Sequence, residues 1–241
     1  MKLLNFNKNV DLSGYTLIIP SISVGNVPQL TIDLLITTLK LKNVATLWHP
    51  GIVPSIGSDP FSNDPDVICS ACELYVNEDF KLAALQFRST IEKKLILKFI
   101  SNLVDCLVEM KLKGLYILAT GFDYELHNIE NRGTFYFATN RDNGEEVIKQ
   151  TSAQVLKTDH RGKFNVSGAG FGIKLFDLIG TKISACMIIK YVSEGDNIND
   201  AMLCFSKVQQ FIGIDEKAVG TVAIPSSWNY VYGALPPLGL F

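Results

Sequence analysis

The sequence predicts a single α/β domain with a mostly parallel or mixed central sheet and helices on both faces. Three observations carry this. Short apolar runs ending in turn residues alternate with segments of helical periodicity, the order that builds a sheet covered on both sides. Of 241 residues, 47% are apolar or aromatic and only 19% are charged, so the chain can bury a large core and has little charge left to cover its surface. The alternation also stops before Gly220, which assigns residues 1–219 to the α/β domain and residues 220–241 to an irregular hydrophobic tail.

Tyr15 to Pro20 is an apolar run followed by turn chemistry, and it reads as the first clear strand. In Asn26-Val27-Pro28-Gln29 an asparagine cap, an early proline and a glutamine at the third helical position announce a helix to about Lys40. Leu30, Leu34 and Leu35 lie on one side of that helix, and Ile32, Ile36 and Leu39 on another. One sheet contact needs less apolar surface than this, so one side, with Leu30, Leu34 and Ile36 as candidate partner-binding residues, is expected to meet another chain. Val44 to Trp48 reads as a second strand, and the Gly/Pro/Ser-rich Pro50 to Pro65 as an exposed loop.

Val67 to Val76 and Phe80 to Phe87, separated by Asn77-Glu78-Asp79, have the look of a hairpin. It leads into Ser89-Thr90-Ile91-Glu92, which has the spacing of a capping box. In the helix so announced, Ile91, Leu95, Phe99, Leu103, Cys106, Leu107 and Met110 recur at steps of three and four. Leu115 to Ala119 then makes a buried strand. Between Asp123 and Gly162 the pattern is weaker, with a strand at Thr134 to Phe137 and a helical stretch at Glu145 to Lys157. Phe171 to Ile179 forms a helix, Ile183 to Val192 a strand, and Asn197 caps a helix with Ile198, Ala201, Met202, Phe205, Val208 and Ile212 in one stripe.

Charge and cysteine bound the function. A net charge of -2 with scattered Lys and Arg gives no basic stripe for phosphates, so neither nucleic acid nor an anionic membrane is expected as a ligand. The N-terminal residues lack the apolar core of a signal peptide, and secretion is not expected. Leu12 to Ile32 is long enough to span a bilayer, but Pro20, Ser21, Ser23, Gly25, Asn26, Pro28 and Gln29 break its apolarity. Five cysteines, Cys69, Cys72, Cys106, Cys186 and Cys204, sit in apolar segments, as reduced, buried thiols do. Cys69 and Cys72 have metal spacing, yet positions three apart on a strand face opposite sides and no second pair completes a zinc site. No cofactor or metal is expected.

Two loops could carry chemistry. Ser23, Gly25 and Asn26 follow the first strand, and Glu194-Gly195-Asp196-Asn197 follow the late one, each entering a helix at the end of a sheet where α/β proteins bind small ligands. A phosphorylase-like or hydrolase-like pocket built from Ser23, Asn26, Glu194 and Asp196 is therefore one reading. The other is that these residues are helix caps and turns. A nucleophilic enzyme needs a base, and His49, His127 and His160 stand outside any recognisable motif. In the tail, Trp228, Tyr230 and Leu235-Pro236-Pro237-Leu238-Gly239-Leu240-Phe241 place large apolar groups on a proline-stiffened segment that is costly to leave in water. They pack back on the domain, or the last residues enter a partner's pocket.

Four stretches resemble the proteasome assembly chaperone 2 family. These are Ser23-Val24-Gly25-Asn26-Val27, Ala84-Leu85-Gln86-Phe87-Arg88-Ser89, Val192 to Asn197 with Asp200-Ala201, and Ile224-Pro225-Ser226-Ser227-Trp228 with Leu235-Pro236-Pro237. The resemblance implies a sheet similar to that of nucleoside phosphorylase-like proteins and no enzymatic activity. It implies a cytosolic or nuclear chaperone that forms a heterodimer with proteasome assembly chaperone 1, binds α-type subunits of the 20S proteasome and favours α-ring formation. Such chaperones carry a C-terminal signal in which a hydrophobic residue and a tyrosine precede the last residue. This chain has Gly239 and Leu240 there, so docking by Leu238, Leu240 and Phe241 is carried over as an expectation without the tyrosine's hydrogen bond.

Overall fold

A computed structural model of the chain describes residues 3–7, 10–64, 66–126 and 129–230. Its elements run β1 (Leu4–Phe6), β2 (Thr16–Pro20), α1 (Val27–Thr38), β3 (Lys42–Leu47), β4 (Ile56–Ser58), β5 (Ile68–Ser70), β6 (Cys72–Asn77), β7 (Leu82–Phe87), α2 (Ile96–Glu109) and β8 (Gly114–Phe122). They continue with β9 (Phe135–Thr139), α3 (Gly144–Thr151), β10 (Gln154–Val155), α4 (Gly172–Ile179), β11 (Ala185–Val192), α5 (Ile198–Ile212) and α6 (Glu216–Val219).

Among the described residues nine strands form one sheet in the order β1-β3-β6-β7-β2-β8-β11-β9-β10. Pairing is parallel through β7, β2, β8 and β11, and antiparallel through β1, β3, β6 and β7 and between β11 and β9. The expected mixed α/β sheet is what the chain forms. Parallel strands buried on both faces read as continuous apolar runs, and β8 is buried from Gly114 to Gly121. One core lies between the sheet and helices α2 and α4, with Phe99, Leu103, Leu107, Leu175 and Ile179 at its centre. The other lies under α1 and α5, with Ile32, Leu35, Phe205 and Val208. The stretch from Leu12 to Ile32 resolves into β2, a turn and the start of α1, and no helix among the described residues is long and apolar enough to cross a membrane.

Four local expectations need correction, the first being the helical stretch at Glu145 to Lys157, which ends at Thr151 before β10 pairs with β9. The capping box at Ser89 to Glu92 does not cap: α2 begins at Ile96 with Leu95 at its N-cap. The donors of the preceding residues are already taken, because Glu92 N donates to Gly51 O at 2.7 Å and the Ser89 hydroxyl to Val53 O at 2.5 Å. The strand expected over Val67 to Val76 is broken at Ala71, its first part pairing with β4 in a separate two-stranded sheet. Pro50 to Pro65 therefore contains a strand rather than loop alone. Finally, the second apolar side of α1, assigned above to another chain, is covered by α5. Leu34 is fully buried, Ile36 is 3% exposed and Leu30 is half-buried against the same core.

Candidate functional site

The carboxyl ends of β2, β8 and β11 converge, and the chain fills the crevice they make. Beyond β2, Ser21 donates its hydroxyl to Ala169 O at 2.7 Å and accepts from Gly172 N at 2.9 Å. Ser23 is buried with its hydroxyl 2.8 Å from that of Thr120, and it accepts from Thr120 N at 3.1 Å. Thr120 in turn donates to Val24 O at 2.5 Å. Val24 N closes on Gly168 O at 3.0 Å. At Gly170, with φ at 62°, a Cβ would stand 2.0 Å from Ile22 O, so the segment from Gly168 to Gly172 lies directly on the loop after β2. Only glycine permits that approach.

The two loops singled out in the sequence do meet. A Cβ on Gly25 would fall 2.5 Å from Asn197 Nδ2. Neither asparagine caps its helix through its side chain. Asn26 is left-handed (φ 54°), a conformation from which the side chain does not reach the first-turn donors. The Asn197 amide donates backward to Ser193 O and Gly195 O, both at 3.1 Å. Asp196 accepts from Ile198 N at 3.1 Å and caps there. Ser23 is enclosed, whereas Asn26, Glu194 and Asp196 are exposed. The four thus share one edge of the sheet without facing a common cavity. The arrangement can hold loops together; its one buried hydroxyl is saturated by a second hydroxyl and backbone.

A charge pair with a buried carboxylate and a partly exposed arginine, near the same edge, was not foreseen. Arg88, just beyond β7, grips Asp33 of α1 through Nη1 to Oδ2 at 2.9 Å and Nη2 to Oδ1 at 2.6 Å. Gln86 adds Nε2 to Asp33 Oδ1 at 2.5 Å and to Gln29 O at 2.8 Å. Burial opposes the arginine's charge, but the carboxylate overcomes it and raises its pKa. The guanidinium lies over Phe61, whose ring meets Tyr75 edge-on. A signal existed: Asp33 is the one acid in an apolar helix, and Gln86 and Arg88 alternate on a strand so as to share a face.

The tail returns to this region. Thr38 and Ala223 exchange hydrogen bonds, Ser226 Oγ donates to Pro60 O at 3.2 Å, and Trp228 packs partly buried against the core under α1. Leu238, Leu240 and Phe241 lie outside the described residues. All five cysteines are free. Burial pushes the thiols up, Cys186 to about 12 and Cys106 and Cys204 each to about 11, which keeps them protonated and unreactive.

Cavities also lie elsewhere among the described residues. One of about 500 Å³ separates Leu3, Phe6 and Leu12 from α2, with Asp105 and Glu109 on its rim. Another, about 350 Å³, runs beside Trp48, Pro54 and Ile56. His49, fully buried at its side, accepts from Gly51 N through Nδ1 at 2.9 Å and meets Phe99 edge-on. Burial, helped by the charge of Lys98, lowers its pKa and keeps it neutral.

Comparison with known proteins adds the relationship. The chain is 29% identical to Proteasome assembly chaperone 2 of Xenopus tropicalis, over 95% of each, and 29% identical to Proteasome assembly chaperone 2 of Homo sapiens, over 96% of each. Its fold is similar to that of Pyrococcus furiosus PbaA, described as an archaeal homolog of proteasome-assembly chaperone. The TM-score is 0.67 at 12% identity, covering 88% of this chain and 87% of that one. A family profile described as the PAC2 family matches residues 17–173, the span that holds β2 to β8, the Ser23 loop and the Asp33–Arg88 pair, and the chain belongs to that family.

Proposed function

We propose that this protein is a non-catalytic proteasome assembly chaperone that pairs with proteasome assembly chaperone 1 and promotes 20S α-ring formation by binding α-type subunits in cytoplasm and nucleus. The observation that carries this reading is likeness to proteins named proteasome assembly chaperone 2 along nearly the full length of both chains. The non-catalytic part is supported by the Ser23 hydroxyl, engaged with Thr120 on both sides, and by the segment around Gly170 that occupies the crevice where α/β sheets otherwise take ligands.

The test is purification of the tagged full chain from its own cells, with the co-eluting proteins quantified by mass. Stoichiometric recovery of a second chaperone and α-type subunits is expected, and elution of the chain alone would sink the reading. Converting Glu194 and Asp196 together to alanine should leave that recovery intact, since both side chains are exposed.

A further inference from the structure

The turn that follows β9, from Asn140 to Asn143, sits at the amino ends of β8 and β11. Arg141 is half-buried there, with its guanidinium over the Tyr116 ring at 5.2 Å. Its hydrogen bonds are long: Nη1 to the Tyr116 hydroxyl and Nη2 to Ser184 O, each 3.4 Å. No carboxylate pairs with it, since the ion pairs among the described residues are Arg88–Asp33, Arg132–Asp123 and Lys190–Asp200. Among those residues three buried side-chain polar atoms lack a partner, and two of them, Arg141 Nε and Asn143 Oδ1, belong to this turn. Arginine is seldom withdrawn from water without a counter-charge, and an orphaned buried donor calls for an explanation.

The wall beside the arginine is fixed. Asn140 donates to Ile183 O and accepts from Ala185 N, both at 2.7 Å, which ties the end of β9 to the start of β11. Arg141 N donates to the Thr139 hydroxyl at 3.1 Å. A Cβ at Gly114 would collide with Nη2, so glycine at the head of β8 makes room for the guanidinium. Asn140, Arg141, Thr181, Ile183 and Ser184 line a cavity of about 330 Å³, and none of them is acidic. Thr181 and Ser184 are exposed, with hydroxyls free to donate to a ligand held there. The cavity thus gathers one underused cation and two hydroxyl donors. That set is complementary to an oxyanion, because the planar guanidinium fork matches the oxygens of phosphate and carboxylate.

We propose that this cavity binds a small oxyanion of the phosphate type, with Arg141 supplying the charge and Thr181 and Ser184 the hydroxyl donors. Three donor groups on separate residues suit the several oxygens of phosphate better than the two of a carboxylate. A lining of five residues from two turns accommodates a single anion rather than a length of chain. An anion so seated joins the turn after β9 to the turn after α4. The site lies apart from the Ser23 crevice, and it stands or falls independently of the chaperone reading.

The experiment is calorimetric titration of the full chain with inorganic phosphate, at an ionic strength held constant with sodium chloride. Saturable binding at one site is expected. Arg141→Gln should weaken it about ten-fold or more, as for loss of a charged hydrogen-bonding partner, and Thr181→Val combined with Ser184→Ala about three-fold. Arg161→Gln removes the same charge from an exposed arginine elsewhere and should leave binding unchanged. The double variant should unfold in urea at the wild-type midpoint, because both of its side chains are exposed, and it decides the matter if Arg141→Gln does not fold. Absence of saturable binding overturns the proposal. So does undiminished binding by Arg141→Gln or, where that variant does not fold, by the double variant. An equal loss in Arg161→Gln overturns it by making the effect one of general charge. Phosphate binding that appears only after deletion of residues 231–241 overturns it by making the chain's own terminal carboxylate the occupant.

Discussion

The carboxyl edge of the parallel strands and the β4–β5 hairpin are opposites. At the first, serine, threonine, asparagine and glycine residues that resemble a ligand site are spent on one another, with Gly170 pressed against Ile22 and the Ser23 hydroxyl against Thr120. At the second, Ile56, in a stretch with the composition of a plain loop, stands exposed with Ile68 and Trp48, and Trp48 and Ile56 line an uncharged groove. Polar residues at a topologically privileged place are no evidence of an open site until their partners are counted. Apolar residues in an ordinary loop are informative because solvent leaves them without partners.

Breaking the sealed edge should cost most. Arg88→Ala strands the Asp33 carboxylate in the interior and should lower stability by roughly 3–5 kcal/mol in urea denaturation, whereas replacing both members with apolar residues of similar size recovers most of that loss. Gly170→Ala combines a left-handed backbone with a clash on Ile22 O, and a loss of about 2–4 kcal/mol is expected by the same measurement. Ser23→Ala leaves Thr120 N without its acceptor and should cost about 1–2 kcal/mol. If that variant instead unfolds like the wild type, the crevice is less tightly closed than its hydrogen bonds indicate.

The open region should be insensitive to substitution and sensitive to acid. Ile56→Lys is expected to change stability by no more than about 0.5 kcal/mol, as for exposed positions generally. His49 behaves otherwise. Its folded pKa lies below the unfolded value of 6.5, so the unfolded chain binds the extra proton. Its contribution is complete above that value and is lost as pH falls through it toward the lower folded pKa. Stability measured from neutral pH down into that window should fall, and His49→Gln should flatten the decline. An unchanged profile would mean that protonation is absorbed without loosening the loop from His49 to Ile52.

Most strands and helices were legible because burial on two faces leaves apolar runs and one-sided burial leaves stripes, as in β8 and α5. The errors have two causes, partners distant in sequence and local backbone conformation. Ser89 to Glu92 has the pattern of a cap but pairs with Gly51 and Val53, whereas Asn26 misses its cap through a left-handed backbone and the Asn197 amide turns back to Ser193 and Gly195. The second apolar side of α1 has the pattern of an interface, and α5, some 160 residues later in the numbering, covers it. At the carboxyl edge the sequence offered Ser23, Asn26, Glu194 and Asp196 as candidates, but the enclosure of Ser23 depends on Thr120 and the Gly168–Gly172 segment, which no local spacing reveals.

The position of β2 also governs how the chain is made. It precedes its neighbours β7 and β8 in the chain, so Thr16 waits for Leu82 on one side and Gly114 on the other. Pairing over such separations is slow, because the intervening chain must be closed into a loop before any contact rewards it. The chain from β2 through β8 is therefore synthesised before the sheet has a centre, and Leu17, Ile18 and Ile19 spend that interval without the neighbours that later bury them. A protein read as an assembly helper would itself have a nascent stage in which protection from aggregation matters.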